Sequence, residues 1–182
     1  YLDVEVGGQG VLGRQHLNPT PWVTERHGYD ATSKAVGPNG MVGGQYLDID
    51  STNNASVSGD AKFINKMEWL KTGCLIQASV EMAAIFAKAS DIEKVKLIDF
   101  AKVFGRSYQI YDDLVDVVET SEEAGKATHK DEAEGKNNTL TLLGIDQSRK
   151  ELTDLIKQAQ DDLHGLNGEV LTGFLDLYQK VL

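Results

Sequence analysis

The pattern of apolar and polar positions changes character near residue 28. Residues 1–28 hold five Gly and two of the three Pro of the chain, and their apolar residues follow no sustained helical period. This part is predicted to be coil, with at most a short strand. From residue 29 onward apolar residues recur at helical spacing, which predicts an all-α structure. We therefore divide the chain into a Gly/Pro-rich head, 1–28, and a helical part, 29–182.

The helical part separates into several predicted helices. The first is interrupted at Gly37-Pro38, and the second begins at Asp60, whose side chain is suited to an N-cap. The polar stretch 120–138, which is interrupted by glycines, is predicted to be a loop because it has neither a helix cap nor an apolar face. The predicted helical stretches are 29–50, 58–90, 91–119, 146–166 and 168–182.

A match to the pattern G-x-G-x-x-G occurs in the head, at Gly8, Gly10 and Gly13. A dinucleotide-binding fingerprint needs a helix directly after these glycines. Pro19 and Pro21 are expected to stop such a helix early, and no second strand pattern comes after them. We interpret the match as chance.

Length, net charge and cysteine count exclude several classes of protein. The 182 residues suffice for one domain with a sizeable core. A formal net charge of −10 argues against a nucleic-acid groove, because phosphate-backbone binding requires clustered Lys and Arg. No apolar run approaches the roughly 20 residues of a membrane span. The single cysteine, Cys74, excludes an internal disulfide and favours a reducing, cytoplasmic location.

Three aspartates stand close together in "SYQIYDDLVDVVE", a predicted apolar helix. Asp112 and Asp116 lie one turn apart on one face, and Asp113 is turned about 100° away. Like charges at this spacing repel by about 0.2–0.5 kcal/mol per pair. They also lie near the predicted end of the helix, where the macrodipole disfavours negative charge. A bound cation would offset both costs, and a solvated acidic helix end is the alternative.

The residues around this cluster favour the cation. Gln109 precedes Asp112 by one turn, and the loop after the helix is rich in lysine, including Lys126 and Lys136. Mg²⁺ typically takes one or two carboxylates and completes its shell with waters and substrate phosphates. Lysines can neutralise the remaining phosphate charge as point charges. The pattern therefore predicts an anion that is held through a metal.

Two segments that precede the aspartates in the chain contain further candidates for the binding site. Lys71 and Thr72 lie inside an otherwise apolar helix, where an unpaired cation facing the interior would be costly. The alternative for Lys71 is that its stem is buried and its ammonium reaches solvent. Gln45 and Asp48 lie three residues apart, after a Gly43-Gly44 pair whose helical cost implies close backbone packing.

Four motifs in this order resemble a known family. "GMVGGQYLDID", "KTGCLIQASVEMAA", "FGRSYQIYDDLVD" and "GKATHKDEAEGKNNTLTLLG" are similar to the C-terminal half of the trans-isoprenyl diphosphate synthases. This polyprenyl synthetase family includes farnesyl and geranylgeranyl diphosphate synthases. The resemblance covers residues 29–182 and implies an isoprenoid-synthase-type helical bundle, usually a homodimer.

The resemblance also implies a role for each candidate residue. "DDLVD" matches the second aspartate-rich motif of the family, so Asp112 would bind Mg²⁺, with Asp113 and Asp116 in support through waters or directly. Tyr108 stands where the family usually has Phe, and "NNTLTLLG" departs from the common Lys-Thr-Tyr-Pro form. The residues expected to contact the allylic diphosphate, or to support the site, are Lys71, Thr72, Gln109, Lys126, Lys136, Gln45 and Asp48.

The implied reaction joins an allylic diphosphate to isopentenyl diphosphate with the help of Mg²⁺. The first aspartate-rich motif of the family has no counterpart here, because the pair Asp161-Asp162 lacks a third carboxylate. Three hypotheses remain: a prenyltransferase whose N-terminal half is not in this sequence, a non-catalytic diphosphate-binding or regulatory subunit of a prenyl synthase, and a helical bundle without a ligand. Magnesium-dependent binding of an allylic diphosphate separates the first two from the third.

Overall fold

The computed structural model describes residues 21–53, 60–123 and 138–182, which form helices joined by short turns without a strand. The prediction of an all-α fold is confirmed. None of the described helices combines the length and apolar character that crossing a bilayer would require. The helices are α1 (Pro21–Val36), α2 (Met41–Asn53), α3 (Ala61–Glu68), α4 (Cys74–Phe86), α5 (Asp91–Glu123), α6 (Thr139–Leu143), α7 (Ile145–Asp162) and α8 (Glu169–Leu175).

The first helix corrects one expectation from the sequence. Coil was predicted through residue 28, yet α1 begins at Pro21 and crosses that position. Proline fits the first helical position, because the N–H that it lacks would have no partner there and its φ is already helical. Pro21 therefore starts a helix instead of stopping one. The division of the chain at residue 28 stays a prediction, and the G-x-G-x-x-G match lies outside the described residues.

The first helix ends at Val36, so the break predicted at Gly37-Pro38 is confirmed. After the turn, α2 packs on the segment between α3 and α4. The contact centres on Gly44, where an added Cβ would lie 2.3 Å from the backbone nitrogen of Lys71. The close packing expected from the Gly43-Gly44 pair is thereby confirmed for Gly44.

The long helix predicted over 58–90 is interrupted by a single π-helical stretch, Trp69–Gly73, between α3 and α4. The predicted N-cap at the start of the long helix is confirmed. The Asp60 carboxylate accepts hydrogen bonds from the backbone N–H of Lys62 at 2.9 Å and of Phe63 at 3.4 Å. A π stretch carries one extra residue per turn and often occurs at functional sites. Here it contains both Lys71 and Thr72.

Helix α5 is the central element and packs on α4, the π stretch and α7. It begins as predicted, after a capping box in which Ser90 and Glu93 exchange hydrogen bonds. Its apolar side packs with α7 and with the C-terminal turn Asp176–Lys180 around stacked aromatic rings. Phe104 lies 5.5 Å from Phe100 and 5.8 Å from Tyr178 between ring centroids. This core holds the aspartate-bearing turns of α5 in place.

Candidate functional site

The three aspartates of α5 do not form one cluster. Asp112 and Asp116 are exposed on one face, whereas Asp113 is 8% exposed and points into the protein. The helix continues to Glu123, so Asp112 lies about three turns before its end. The prediction that the aspartates lie near the C-terminal end of the helix was therefore wrong. The helix macrodipole destabilises their charges little, since its effect is confined to the last turn.

A chain of hydrogen bonds joins the π stretch to this part of α5. The hydroxyl of Thr72 donates to Gln109 Oε1 at 2.9 Å, and Gln109 Nε2 donates to Asp113 Oδ1 at 3.3 Å. The sequence suggested that Gln109 shares a face with Asp112, but the side chain bonds to Asp113, four residues further along α5. Thr72, Gln109 and Asp113 are thus brought together across two elements.

Lys71 forms an ion pair with α2. Its Nζ lies 2.7 Å from Asp48 Oδ2, and both side chains are about one-third exposed, at 37% and 30%. The ammonium has three donors, so two remain available after this bond. Lys71 is therefore held at the surface by Asp48 and can still donate to an anion. Gln45 is exposed on α2, and Lys126 and Lys136 lie outside the described residues.

A buried carboxylate that the sequence analysis did not single out lies beside this chain of hydrogen bonds. Glu68, at the end of α3, is 7% exposed and accepts two hydrogen bonds from Thr139, from the backbone N–H and from the hydroxyl, each at 2.7 Å. Thr139 begins α6, whose N-cap is Asn138. The short helix was missed because its five residues are too few for a periodic signal. An asparagine before the apolar run "TLTLL" could have indicated it.

Burial and charge shift the titration of Asp113. Desolvation first, and then the nearby Glu68 carboxylate, raise its pKa from 3.8 to about 7, against the amides of Gln109 and Asn138, which lower it. Burial also raises the pKa of Glu68, against the opposing hydrogen bonds from Thr139. Asp113 Oδ2 is buried and accepts no hydrogen bond from the described residues. Two carboxylates thus share a buried region behind the exposed aspartate face.

This shift predicts a pH-dependent stability. Because the folded protein holds the Asp113 proton more tightly than the unfolded chain, this group favours folding at low pH, and its contribution is lost as the pH rises from about 4 to about 7. Asp113→Asn should reduce this loss of unfolding free energy over that range. Urea denaturation of both proteins in metal-free buffer across the range measures it, with Asp154→Asn on the exposed side of α7 as the control. Equal pH slopes in wild type and Asp113→Asn would contradict the shift.

A cavity of about 440 Å³ lies between α3 and α5, next to Glu68 and Gln109. Its basic residues already have partners. Arg106 Nη1 donates to Asn65 at 2.9 Å, Arg106 Nε donates to Glu151 at 2.9 Å, and Lys102 pairs with Asp99 at 3.0 Å. The cavity walls are mainly apolar, and an anion entering it would have to compete with these carboxylates.

Two exposed carboxylates of α5 suit a magnesium ion. Among the described residues, no group of three His, Cys, Asp or Glu side chains is arranged to hold a metal. Asp112 and Asp116 nevertheless present two exposed carboxylates one turn apart on α5. Mg²⁺ usually takes one or two protein carboxylates and leaves its other positions to waters and phosphate oxygens. This pair fits such a site, and a metal-binding role for the inward-facing Asp113 stays a prediction.

A family model described as "Polyprenyl synthetase" matches residues 31–168. The chain belongs to the polyprenyl synthetase family. The resemblance seen in the four motifs is thereby confirmed, and the match spans the Asp48, Lys71 and aspartate segments described above.

Curated relatives within this family are prenyl-transferring enzymes by name. The chain is 35% identical to a chloroplastic geranylgeranyl pyrophosphate synthase of Capsicum annuum, over 74% of its own length and 36% of the relative. It is 37% identical to a dimethylallyltranstransferase of Fischerella ambigua, over 72% of its own length and 37% of the relative. The chain spans about a third of the length of these relatives.

Solved structures of similar fold belong to the same group of enzymes. A geranyltransferase of Helicobacter pylori, complexed with magnesium and isoprenyl diphosphate, is 26% identical with a TM-score of 0.69 and covers 91% of this chain and 54% of its own. An FPP/GFPP synthase of Zymomonas mobilis is also 26% identical with a TM-score of 0.69, over 88% of this chain and 51% of that one. The chain corresponds to about half of each structure.

Proposed function

We propose that the chain carries the diphosphate-ionising part of a trans-prenyltransferase that joins an allylic diphosphate to isopentenyl diphosphate. One observation carries the proposal: the hydrogen bonds from Thr72 through Gln109 to Asp113 hold the Lys71 segment against the turn of α5 that bears Asp112 and Asp116. A cation and two exposed carboxylates are thus presented by adjoining elements of a polyprenyl synthetase family member.

In this proposal Asp112 and Asp116 would hold Mg²⁺ at the allylic diphosphate, and Asp113, which is bonded to Gln109, would hold this turn of α5 against the π stretch. When bound, the metal neutralises negative charge that grows on the departing diphosphate. Lys71 donates to the same phosphate oxygens with the two N–H groups that Asp48 leaves free. Lys126 and Lys136 are proposed as further phosphate contacts, and Gln45 as a supporting residue on α2.

The chemistry depends on where charge develops. As the bond between the allylic carbon and the diphosphate oxygen breaks, the leaving group gains negative charge, and Lys71 stabilises that charge more than it stabilises the bound substrate. The double bond of isopentenyl diphosphate then attacks the allylic cation and a new carbon–carbon bond forms. Transfer of a proton to the released diphosphate restores a double bond. Thr72 and Gln109 are neutral, so they can line the reacting centre without trapping the cation as strong nucleophiles.

The alternative is a non-catalytic diphosphate-binding or regulatory subunit of a prenyl synthase. Homodimerisation belongs to the first proposal and is checked by light scattering after size exclusion. Because the Capsicum annuum relative is named chloroplastic, the cytoplasmic location stays a prediction.

A product assay tests the proposed function. The chain is incubated with isopentenyl diphosphate and dimethylallyl, geranyl or farnesyl diphosphate, with Mg²⁺ or with a chelator, and prenyl products are identified by mass spectrometry. We expect longer prenyl diphosphates that disappear with the chelator. Magnesium-dependent diphosphate binding without product would favour the regulatory subunit, and neither binding nor product would leave only the helical bundle without a ligand.

A further inference from the structure

The buried carboxylate of Glu68 links two elements that are distant in sequence. Both of its oxygens accept hydrogen bonds from Thr139, 71 residues further along the chain, and Thr139 itself is only 2% exposed. A carboxylate is costly to bury unless hydrogen bonds compensate for its lost hydration. Here one residue supplies both bonds, which fixes the start of α6 against the end of α3.

The residue before Thr139 extends this link to α5. Asn138 Oδ1 accepts a hydrogen bond from the backbone N–H of Thr141 at 2.8 Å, which caps α6. Helix α6 also packs against α5, and there the Asn138 side chain lies near the Asp113 carboxylate. Asp113 in turn is bonded to Gln109, and Gln109 to Thr72, one helical turn after Glu68. We call this set of residues the carboxylate ring: Glu68, Thr139, Asn138, Asp113, Gln109 and Thr72. Its members are joined by hydrogen bonds or lie close together along the chain, except that Asn138 meets Asp113 through the packing of α6 against α5 and without a hydrogen bond.

We propose that Glu68 is a positioning residue for magnesium–diphosphate binding, acting through Thr139 and the carboxylate ring. This inference rests on the proposed function. Lys71 adjoins the ring beside Thr72, and Asp112 adjoins it beside Asp113, so the ring sets the spacing between the cation and the metal-binding carboxylate. Glu68 itself is buried, and in this role it contacts neither the metal nor the diphosphate.

Two routes through the ring connect the π stretch to α5. The direct route is the bond from Thr72 to Gln109, and the longer route runs from Glu68 through its hydrogen bonds with Thr139 and then through the packing of α6 against α5. The Asp113 carboxylate accepts one hydrogen bond from the described residues, from Gln109 at 3.3 Å, so its orientation also depends on how α6 packs beside it. Outer partners of this kind orient metal ligands, and their loss typically weakens metal binding by about 10- to 100-fold.

The test compares variants that break the ring with variants that preserve it. Glu68→Ala removes both acceptors, and Thr139→Val removes the hydroxyl donor with little change in shape. Glu68→Gln and Thr139→Ser preserve the hydrogen bonds, because the glutamine amide can donate to the Thr139 hydroxyl while its oxygen accepts from the N–H. Leu163→Ala, in the core and outside the ring, is the control for loss of stability alone.

Two quantities are measured: the affinity for inorganic diphosphate with Mg²⁺, by calorimetry, and the side-chain amide resonance of Gln109 without ligand, by NMR. We expect Glu68→Ala and Thr139→Val to weaken binding by about tenfold and to shift the resonance. The affinities of Glu68→Gln and Thr139→Ser should stay within about twofold of wild type, because both variants keep the hydrogen bonds. Loss of an outer partner would weaken binding by about tenfold or more. Leu163→Ala should lower the melting temperature without either effect. If Glu68→Ala does not fold, Thr139→Val decides.

Three results would overturn the positioning role while leaving the proposed function standing. These are unchanged affinity in Thr139→Val, loss of affinity in Glu68→Gln equal to that in Thr139→Val, and equal loss in Leu163→Ala. Failure of the wild-type chain to bind diphosphate with Mg²⁺ would overturn both the proposed function and this role for Glu68.

Discussion

Asp112→Asn should weaken binding of diphosphate with Mg²⁺ by roughly 100-fold or more. The amide lacks the negative charge that a hard cation such as Mg²⁺ prefers, and loss of a direct ligand should exceed the roughly 10- to 100-fold cost of losing an outer partner. Because Asp112 is exposed on α5, the unfolding free energy should change by no more than about 0.5 kcal/mol. Calorimetry with inorganic diphosphate, with and without Mg²⁺, measures the affinity.

The matched control is Asp154→Asn, which removes one exposed carboxylate from α7 and with it a surface pair to Lys150 at 3.8 Å. It makes the same change in net charge and should leave the affinity at the wild-type value. Equal losses in the two variants would indicate a general charge effect and contradict a metal-binding role for Asp112. An unchanged affinity in Asp112→Asn would contradict it directly.

Gly44→Ala should destabilise the fold by about 1–3 kcal/mol despite the higher helix propensity of alanine. The new Cβ would lie 2.3 Å from the backbone nitrogen of Lys71 and 2.7 Å from the carbonyl carbon of Leu70, which cannot rotate away as a side chain could. Either α2 or the π stretch must move. The shift would also disturb the ion pair between Asp48 and Lys71, so diphosphate binding should weaken along with stability. Urea denaturation measures the first effect and calorimetry the second.

Gly173→Ala is the matched control. This glycine lies in α8, and a Cβ there would meet no atom within 4 Å. The substitution should therefore stabilise the protein by up to about 1 kcal/mol, through helix propensity alone. Wild-type stability in Gly44→Ala, or the same sign of change in both variants, would contradict the close contact of α2 with the π stretch.

Local signals in the sequence predicted several elements correctly. The N-cap at Asp60, the start of α5 at Asp91 and the break at Gly37-Pro38 each depend on a few neighbouring residues, so their chemistry is readable without the fold. The same local reasoning failed at Pro21, because a proline that stops a helix and a proline that starts one differ only in the conformation of the residues after them. The π stretch also escaped prediction, since one inserted residue hardly changes the apolar period.

Contacts between residues far apart in the chain could not be predicted from the sequence. Periodicity placed Asp113 about 100° from Asp112, but it could not show which of the two faces solvent. That choice depends on the surfaces against which α5 packs: α7 and the aromatic core on one side, and Glu68 with α6 on another. The bond between Glu68 and Thr139 spans 71 residues, and no pattern within either segment indicates the other.

Sequence patterns alone established that this chain is all-α and belongs to the polyprenyl synthetase family, because helical period and short motifs are properties of neighbouring residues. They also named Lys71, Asp48 and the three aspartates as candidates. The packed structure was needed to show that Lys71 pairs with Asp48, that Asp113 turns inward while Asp112 stays exposed, and that a buried carboxylate at Glu68 belongs to the same network. Burial and pairing depend on which helix faces meet, and that is settled by packing between segments far apart in the chain.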